Sequence, residues 1–212
     1  MSPRRYVQRA RAEAAAETRE RILQAVYAAI RAAPAQAVNV ERVAAEAGVS
    51  RSTVYVIFES RAGLFDAFGE WLFARAGLER LVEAFAHPDP RQRLRDSMHA
   101  SVGVYAAERD GLRALFSMGL LDPDAVGGAP ERFERRRMAG MRRMARDLRL
   151  DGALRKGVGE RQAFEVLWLA ASFDAFDILY TGAGLSARRT AEVLLETSER
   201  ALLDGARQSA PR

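Results

Sequence analysis

Hydroxyl-bearing side chains and one arginine are concentrated in the short sequence VSRSTVY, directly after a glycine. The hydroxyls belong to Ser50, Ser52, Thr53 and Tyr55, and they surround the guanidinium of Arg51. A guanidinium fork matches the O6 and N7 acceptors of guanine, and hydroxyls at the positive N-terminus of a helix suit phosphate oxygens. These residue types suit contact with DNA, but the pattern fits an αα-corner in a helical protein of any function equally well.

Two short helices are predicted to position this segment. Asn39 is a good N-cap for the first helix, which ends at Gly48, where the lack of a Cβ permits a left-handed backbone. Ser50 caps the second helix, which runs to about Phe58. Small side chains on the inner face of the first helix allow the second to cross it closely. The arrangement is a helix-turn-helix, with Arg51 and its neighbours on the outer face of the second helix.

The rest of the chain is predicted to be helical as well, which makes the fold all-α. Apolar side chains recur at helical spacing, and no alternation of Val, Ile and Thr suggests a strand. Predicted helices cover residues 22–30, 61–85, 94–105, 110–121, 131–150, 164–180 and 186–203, and predicted loops cover 122–130 and 151–159. The helix at 164–180 is apolar on nearly every side, which predicts burial all round.

Composition narrows the classes of protein that the chain can represent. The chain is 49% hydrophobic and 29% charged, with a net charge of +5 and a pI of about 10.2, which is ordinary for a globular protein. It has no cysteine, so disulfides and zinc–thiolate sites are excluded. The N-terminus is basic but has no apolar core behind it, and no segment approaches the length of a membrane span. We expect a cytoplasmic protein with no membrane partner.

Catalysis is not expected. His87 and His99 are too far apart in sequence to form a metal pair on one helical turn, and no phosphate-binding glycine loop or nucleophile elbow is present. We expect no enzyme activity, no metal and no cofactor.

The longer sequence NVERVAAEAGVSRSTVYVIFESRAGLFDAF closely resembles the DNA-binding domain of the TetR family of bacterial transcriptional regulators. The match is ordered and ungapped over about residues 18–65. The residues that agree with the family pattern are Val43, Ala44, Ala47, Gly48, Val49, Ser50, Thr53, Tyr55, Phe58 and Ser60. Three positions depart from it: Arg61 replaces a usual lysine, Ser52 a usual glycine, and Ile57 a common tyrosine or histidine.

The resemblance implies roles for several residues in DNA binding. Thr53 and Tyr55 resemble hydroxyls that contact phosphate, and Arg61 would place a charge near the DNA backbone. Arg51 is the candidate for reading a base, with Ser52 as a weaker second. The DNA-binding residues predicted in this way are Asn39, Ser50, Arg51, Ser52, Thr53, Tyr55 and Arg61.

The chain is expected to have four parts. Residues 1–17 form a basic arm ahead of the first helix, which either tracks the minor groove or backbone of DNA or is a solvated tail. Residues 18–65 form the three-helix DNA-binding domain, and a long fourth helix at 60–85 links it to a larger helical domain at 66–205. Residues 206–212 are a tail. The basic residues of the arm are Arg4, Arg5, Arg9 and Arg11.

The resemblance implies that the larger domain dimerises and binds a small molecule. The last two helices carry more apolar surface than a free hairpin can hide, which favours a four-helix bundle between two copies over burial within one chain. The predicted interface consists of Phe164, Leu167, Ala171, Leu194, Leu195, Ala201 and Leu202. Asp174 and Asp177, three residues apart in an apolar helix, need water, a ligand donor or an arginine partner, and Arg188 or Arg189 of the other copy is one such partner.

Large aromatics and adaptable methionines in this domain are candidates for a ligand pocket, although each also fits an ordinary core position. The candidates are Met98, His99, Tyr105, Phe116, Met118, Met141, Trp168, Phe173 and Phe176. The arginine run at 135–137 and 142–143 is interpreted as a solvated face. Together these features predict a homodimeric repressor that a small apolar or aromatic ligand releases from operator DNA. A ligand-independent architectural DNA-binding protein and an activator are the alternatives.

Overall fold

The computed structural model describes residues 3–33 and 36–204, and its regular structure is helical. The helices are α1 (Pro3–Ala32), α2 (Val40–Glu46), α3 (Arg51–Phe58), α4 (Arg61–Arg75), α5 (Leu78–Ala84), α6 (Pro90–Ala107), α7 (Arg109–Leu121), α8 (Pro123–Val126), α9 (Ala129–Leu150), α10 (Glu160–Ala170), α11 (Phe173–Asp177) and α12 (Ala187–Leu202), with a π-helical turn at Ile178–Gly182. Within the described ranges there is no strand, and one isolated bridge joins Leu154 to Leu203. The all-α prediction is confirmed. Of the described helices, none has both the length and the apolar character needed to cross a membrane.

The chain divides into two compact units built from non-contiguous stretches. The first unit contains Met1–Leu72 and Arg109–Glu131, and the second contains Phe73–Glu108 and Arg132–Arg212. The helix-turn-helix belongs to the first unit together with α7 and α8. The second unit contains α5, α6 and α10–α12.

The core of the first unit contains large apolar side chains of α1, α4 and α7, and α1 packs on both α2 and α7. Its fully buried side chains include Ile22, Val26, Leu64, Phe65, Phe68, Leu72, Leu112 and Leu115. Gly69 of α4 permits a close approach, because a Cβ there would lie 2.5 Å from the Cβ of Ala129. The helix α3 adds Val54 and Phe58 to the buried residues of this unit.

The core of the second unit is organised around α12, which packs on α6 and α10. Its apolar stripe includes Ala191, Leu194, Leu195 and Leu202, all buried. The facing helices contribute Leu94 and Met98 of α6 and Leu167 of α10.

Two predicted long helices are each broken in the structure, and one predicted loop is partly helical. The expected helix at 60–85 ends at Arg75, because Gly77 adopts φ +87° and a new helix, α5, begins after it. The expected helix at 164–180 breaks after Ala170, where the Ser172 hydroxyl accepts a hydrogen bond from the Ala175 N–H and caps α11. The predicted loop at 122–130 contains α8 and the start of α9.

The first helix begins earlier than predicted. Its backbone is helical from Pro3, so the four arginines expected to precede it lie within α1. Arg11 is exposed on that helix. The predicted contacts of the other three side chains with DNA, and the predicted tail at 206–212, lie outside the described residues.

Candidate functional site

Caps and a glycine turn fix the helix-turn-helix as the sequence predicts. The Asn39 side chain accepts hydrogen bonds from the Glu41 and Arg42 N–H groups at 2.8 and 3.2 Å and so begins α2. Gly48 adopts φ +67°, and the Ser50 hydroxyl accepts from the Thr53 N–H at 3.1 Å to begin α3. The starts of α2 and α3 are therefore each stabilised by a side chain within three residues.

The inner and outer faces of α3 differ sharply. Val54 and Phe58 are buried, and Arg51 and Ser52 are exposed on the opposite side. The Ser50 hydroxyl lies 2.7 Å from that of Ser52 and 2.8 Å from that of Thr53, which makes a hydroxyl cluster at the helix N-terminus. This cluster lies where the helix dipole and free N–H groups favour an anion.

Arg51 is held by two neighbours on the surface of the motif. Its Nη1 donates to Glu41 Oε1 at 2.7 Å, and its guanidinium lies over the Tyr55 ring at 5.5 Å from the centroid. The adjacent Tyr55 side chain, with Glu41, raises the pKa of Arg51. The arginine that the sequence predicts as a base reader therefore remains charged and partly oriented.

Arg61 has a structural contact in addition to its predicted role at the DNA backbone. Its Nη1 donates to the Val38 carbonyl at 3.1 Å, and its guanidinium lies 5.2 Å from the centroid of the Phe65 ring. The arginine thus ties the start of α4 to the segment that precedes α2. A guanidinium has five N–H donors, so others remain for a phosphate.

One open cleft brings several predicted residues together. It is lined by Ala37, Val38, Asn39, Val40, Glu41, Arg51, Tyr55 and Arg61. Four of the seven predicted DNA-binding residues share this cleft, and the other three form the hydroxyl cluster at the start of α3. The roles of all seven in binding DNA stay predictions.

Sequence reasoning missed two residues on this surface. Val56 is 82% exposed on α3, although its type suggests burial. Its position four residues after Ser52 places it on the outer face of the helix, and that spacing was the available signal. Glu41 was missed because no sequence pattern pairs it with Arg51, ten residues away.

The residues predicted to line a ligand pocket are dispersed. Met98, Tyr105, Met141 and Phe173 are buried in the second unit, where the Tyr105 hydroxyl donates to the Ala171 carbonyl at 3.0 Å. The Tyr105 ring lies 5.4–6.3 Å from three others, those of Phe133, Phe173 and Phe176. Of the remaining candidates, Trp168 is half-buried and His99 is exposed. Phe116 and Met118 are half-buried in the first unit. The second unit thus contains an aromatic cluster rather than the full predicted set.

Arg137 contradicts the interpretation of the arginine run as a solvated face. Its side chain is only 9% exposed, its guanidinium stacks 3.6 Å from the Trp168 ring centroid, and its Nη1 donates to the Trp168 carbonyl at 2.6 Å. Glu134 pairs with it at 2.6 Å. The other arginines of the run, Arg135, Arg136, Arg142 and Arg143, are exposed as predicted.

The apolar residues predicted to form a subunit interface are mostly buried within a single chain. Leu167 and Leu202 have no accessible surface, and Leu194 and Leu195 are under a tenth exposed, because α10 and α6 cover the inner face of α12. Ala171 is buried too, and Phe164 and Ala201 are half-buried. The buried residues leave little surface for a second copy, and the position of the subunit interface stays a prediction.

The pairing predicted between arginines and aspartates of two copies stays a prediction, and within one chain these side chains have other contacts. Arg188 and Arg189 both pair with Glu192, at 2.9 and 3.3 Å, and hold the pKa of that carboxyl below its ordinary value. Asp177 accepts a hydrogen bond from the Thr181 hydroxyl at 2.5 Å.

A capped helix-turn-helix that exposes a guanidinium and a hydroxyl cluster at the start of its second helix defines a class, the helix-turn-helix DNA-binding regulators. Residues 22–68 match the family described as bacterial regulatory proteins, tetR family. The match covers the helix-turn-helix and the first half of α4, so this part of the chain is similar to the DNA-binding domain of that family.

Solved structures of other proteins share the fold of this chain. NalD, described as the secondary repressor of the MexAB-OprM multidrug efflux pump in Pseudomonas aeruginosa, matches with a TM-score of 0.69 and 24% identity over 90% of this chain and 98% of its own. SmeT, described as the repressor of the Stenotrophomonas maltophilia multidrug efflux pump SmeDEF, matches with a TM-score of 0.67 and 18% identity over 92% and 98%. A structure described as a SmeT–triclosan complex matches with a TM-score of 0.68 and 18% identity over 92% of this chain and 99% of its own. At these identities the likeness shows the fold. No curated protein matches the chain.

Proposed function

We propose that this regulator is a repressor that reads operator DNA with α3 and is released from it by a small apolar or aromatic effector. The observation that carries the proposal is the outer face of α3, which presents a charged, half-exposed Arg51 beside a hydroxyl cluster at the helix N-terminus. Such a face fits the major groove, where guanidinium forks bind guanine and hydroxyls bind the flanking phosphates. Thr53, Tyr55 and Arg61 take the phosphate contacts in this scheme.

The test of DNA reading compares two arginines of the same motif. The probes are a duplex that the wild-type protein selects from a random-sequence pool and an unselected duplex of equal length. Arg51→Ala should weaken binding to the selected duplex by about 5- to 100-fold and change binding to the unselected duplex much less, since one bidentate base contact is lost.

Arg42→Ala is the matched control, because Arg42 is also exposed on the motif and the variant loses the same charge. It should weaken both duplexes similarly if it acts on DNA at all, as expected for general electrostatic attraction. Equal losses on the two duplexes for Arg51→Ala would remove Arg51 from base reading.

The repressor is proposed to act as a homodimer, because helix-turn-helix proteins read two half-sites with two recognition helices. Leu169 on α10 and Ile178 on the π-helical turn are 70% and 69% exposed, which leaves apolar surface on the second unit for a partner copy. Sedimentation should give a dimer at micromolar concentration. Leu169→Arg should give a folded monomer, and Leu150→Arg, at an equally exposed leucine of α9, should stay dimeric. A wild-type monomer would contradict the homodimer.

The effector is proposed to bind near the aromatic cluster of the second unit. Tyr105, Phe133, Phe173 and Phe176 supply apolar and aromatic contacts, and Trp168 lies half-exposed on α10. The triclosan complex of SmeT, which shares the fold, makes triclosan the first probe.

Tryptophan emission can report effector binding, because the sequence has only two tryptophans. In a Trp71→Phe background, an effector should change Trp168 emission saturably and lower affinity for the selected duplex over the same concentration range. A compound that binds without changing DNA affinity would favour the ligand-independent alternative. Higher transcription of a reporter gene in the presence of the effector-free protein than in its absence would favour the activator.

A further inference from the structure

We infer that Glu41 is a positioning residue that orients Arg51 and thereby sets how strictly the protein discriminates between DNA sequences. The inference rests on the proposed reading of DNA by α3. It concerns a carboxylate that lies within a surface otherwise suited to bind phosphate.

The geometry at the start of the two helices joins Glu41 to Arg51. Glu41 Oε1 accepts a hydrogen bond from Arg51 Nη1 at 2.7 Å across the motif, and both side chains are more than half exposed. The ring of Tyr55 lies under the same guanidinium, 5.5 Å from its centroid. The arginine is therefore bounded by a carboxylate on one edge and by an aromatic face below.

The position of Glu41 is itself fixed by the fold. Its backbone N–H donates to the Asn39 side chain at 2.8 Å, and it lies in the first turn of α2, where the helix dipole favours a negative charge. A carboxylate anchored in this way differs from one on a flexible loop, since it defines a place for the arginine rather than following it.

The chemistry of the guanidinium explains what this contact does. Its five donors form two edges, and an acceptor at Nη1 leaves the Nε and Nη2 donors for a second planar partner such as guanine. Without Glu41 the same arginine is free to bind any phosphate within reach. Such a contact raises affinity for all DNA sequences and does not discriminate between them.

Glu41 also acts against binding in general. A carboxylate close to the DNA backbone repels phosphates, so it lowers affinity for every sequence. Such an element raises specificity by penalising complexes in which the arginine does not have its proper base. An exposed ion pair contributes little to stability, so this contact matters for recognition rather than for the fold.

The test uses Glu41→Gln with the same selected and unselected duplexes. The ratio of the two affinities should fall by about five- to tenfold, at the lower end of the discrimination that one bidentate arginine–base contact provides. Affinity for the unselected duplex should rise. Repeating the selection with the variant should relax the base preference at the position that Arg51→Ala also relaxes. The unfolding midpoint should not change.

Two controls separate positioning from charge. Glu46→Gln makes the same change of charge on an exposed residue of α2 and should leave the affinity ratio unchanged. In an Arg51→Ala background, Glu41→Gln should have no further effect on the ratio, because the residue it positions is absent.

The inference is overturned if Glu41→Gln raises affinity for both duplexes equally, or if Glu46→Gln lowers the ratio as much. It is also overturned if the two substitutions at Glu41 and Arg51 act additively on the ratio. If Arg51→Ala itself leaves the ratio of the two affinities unchanged, or if the wild-type protein selects no duplex, the proposed function is wrong and the inference that rests on it is wrong too.

Discussion

The two units of this chain hold an arginine in opposite ways. In the first unit, Arg51 stands on the surface with 57% of its side chain exposed and is bounded by one carboxylate and one ring. In the second unit, Arg137 is 9% exposed, stacks on Trp168 and donates to a helix carbonyl. The first arginine remains available to an incoming molecule, whereas the second fastens α9 to α10.

The contrast separates a surface built for contact from an interior built for stability. Around Arg51 the fold is made by caps and a turn that leave the outward side chains unburied. Around Arg137 it is made by packing between helices distant in sequence. Substitutions in the second unit are therefore expected to change stability most, and those on α3 to change DNA binding most.

The largest effect is expected at Leu167, which is fully buried on α10. Leu167→Ala should lower the free energy of unfolding by about 2–5 kcal/mol, since it removes buried methyl groups and leaves a cavity. Leu150→Ala, at a leucine of α9 that is 67% exposed and lies outside the proposed dimer interface, should change it by less than about 0.5 kcal/mol. Denaturant unfolding measures both. Similar losses for the two variants would mean that the packing of α10 is misassigned.

A smaller loss of stability is expected at Tyr105. Tyr105→Phe should lower the free energy of unfolding by about 1–3 kcal/mol, because the buried Ala171 carbonyl loses its donor. Burial raises the pKa of Tyr105, so the folded state favours the neutral phenol. The contribution of the buried phenol to the free energy of unfolding is complete below the unfolded pKa of about 10, and it is lost as the pH rises above that value. The thermal unfolding midpoint should therefore fall more steeply between neutral and alkaline pH for the wild type than for Tyr105→Phe. Parallel declines would contradict the buried phenol.

Gly48 and Gly152 offer a matched comparison between the units. They adopt φ +67° and +66°, and an added Cβ would meet no atom within 4 Å at either position. Alanine at either position should therefore cost a similar amount of stability, about 1–2 kcal/mol, through backbone strain alone. Only Gly48→Ala should also weaken DNA binding, because it lies in the turn that orients α3. Loss of DNA binding in both variants would break the proposed division of roles.

The smallest effect is expected at Val56, which is 82% exposed on α3. Val56→Ala should leave the unfolding midpoint unchanged and weaken binding to the selected duplex by about threefold, as expected when a contact of one or two methyl groups with a thymine methyl is lost. Val82→Ala, at an exposed valine of α5, should change neither quantity. An unchanged affinity for Val56→Ala would place that side chain outside the groove.

The sequence predicts the first unit's motif well because its determinants are local. Asn39, Gly48 and Ser50 act on backbone within a few residues of themselves, so their chemistry determines where α2 and α3 begin and end. The pairing of Arg51 with Glu41 could not be predicted in the same way, because it depends on how two helices cross.

The second unit shows where pattern reasoning fails. Apolar periodicity predicts that Leu167 and Leu202 are buried, but it does not say whether by the same chain or by a partner, and here the same chain buries both. The long helices predicted at 60–85 and 164–180 break at Gly77 and Ser172, single residues that a periodic pattern tolerates. The burial of Arg137 within an arginine-rich run depends on the placement of Trp168, which the run itself does not encode.

The most direct test of the central claim is interference by methylation at guanine N7, the major-groove acceptor that Arg51 is proposed to bind. The selected duplex is methylated sparsely, and the fractions bound by the wild-type protein and by Arg51→Ala are compared base by base. The account predicts a guanine whose methylation blocks the wild-type protein but has no effect on Arg51→Ala, since that variant has already lost the contact. An interference pattern that is identical for the two proteins would contradict it.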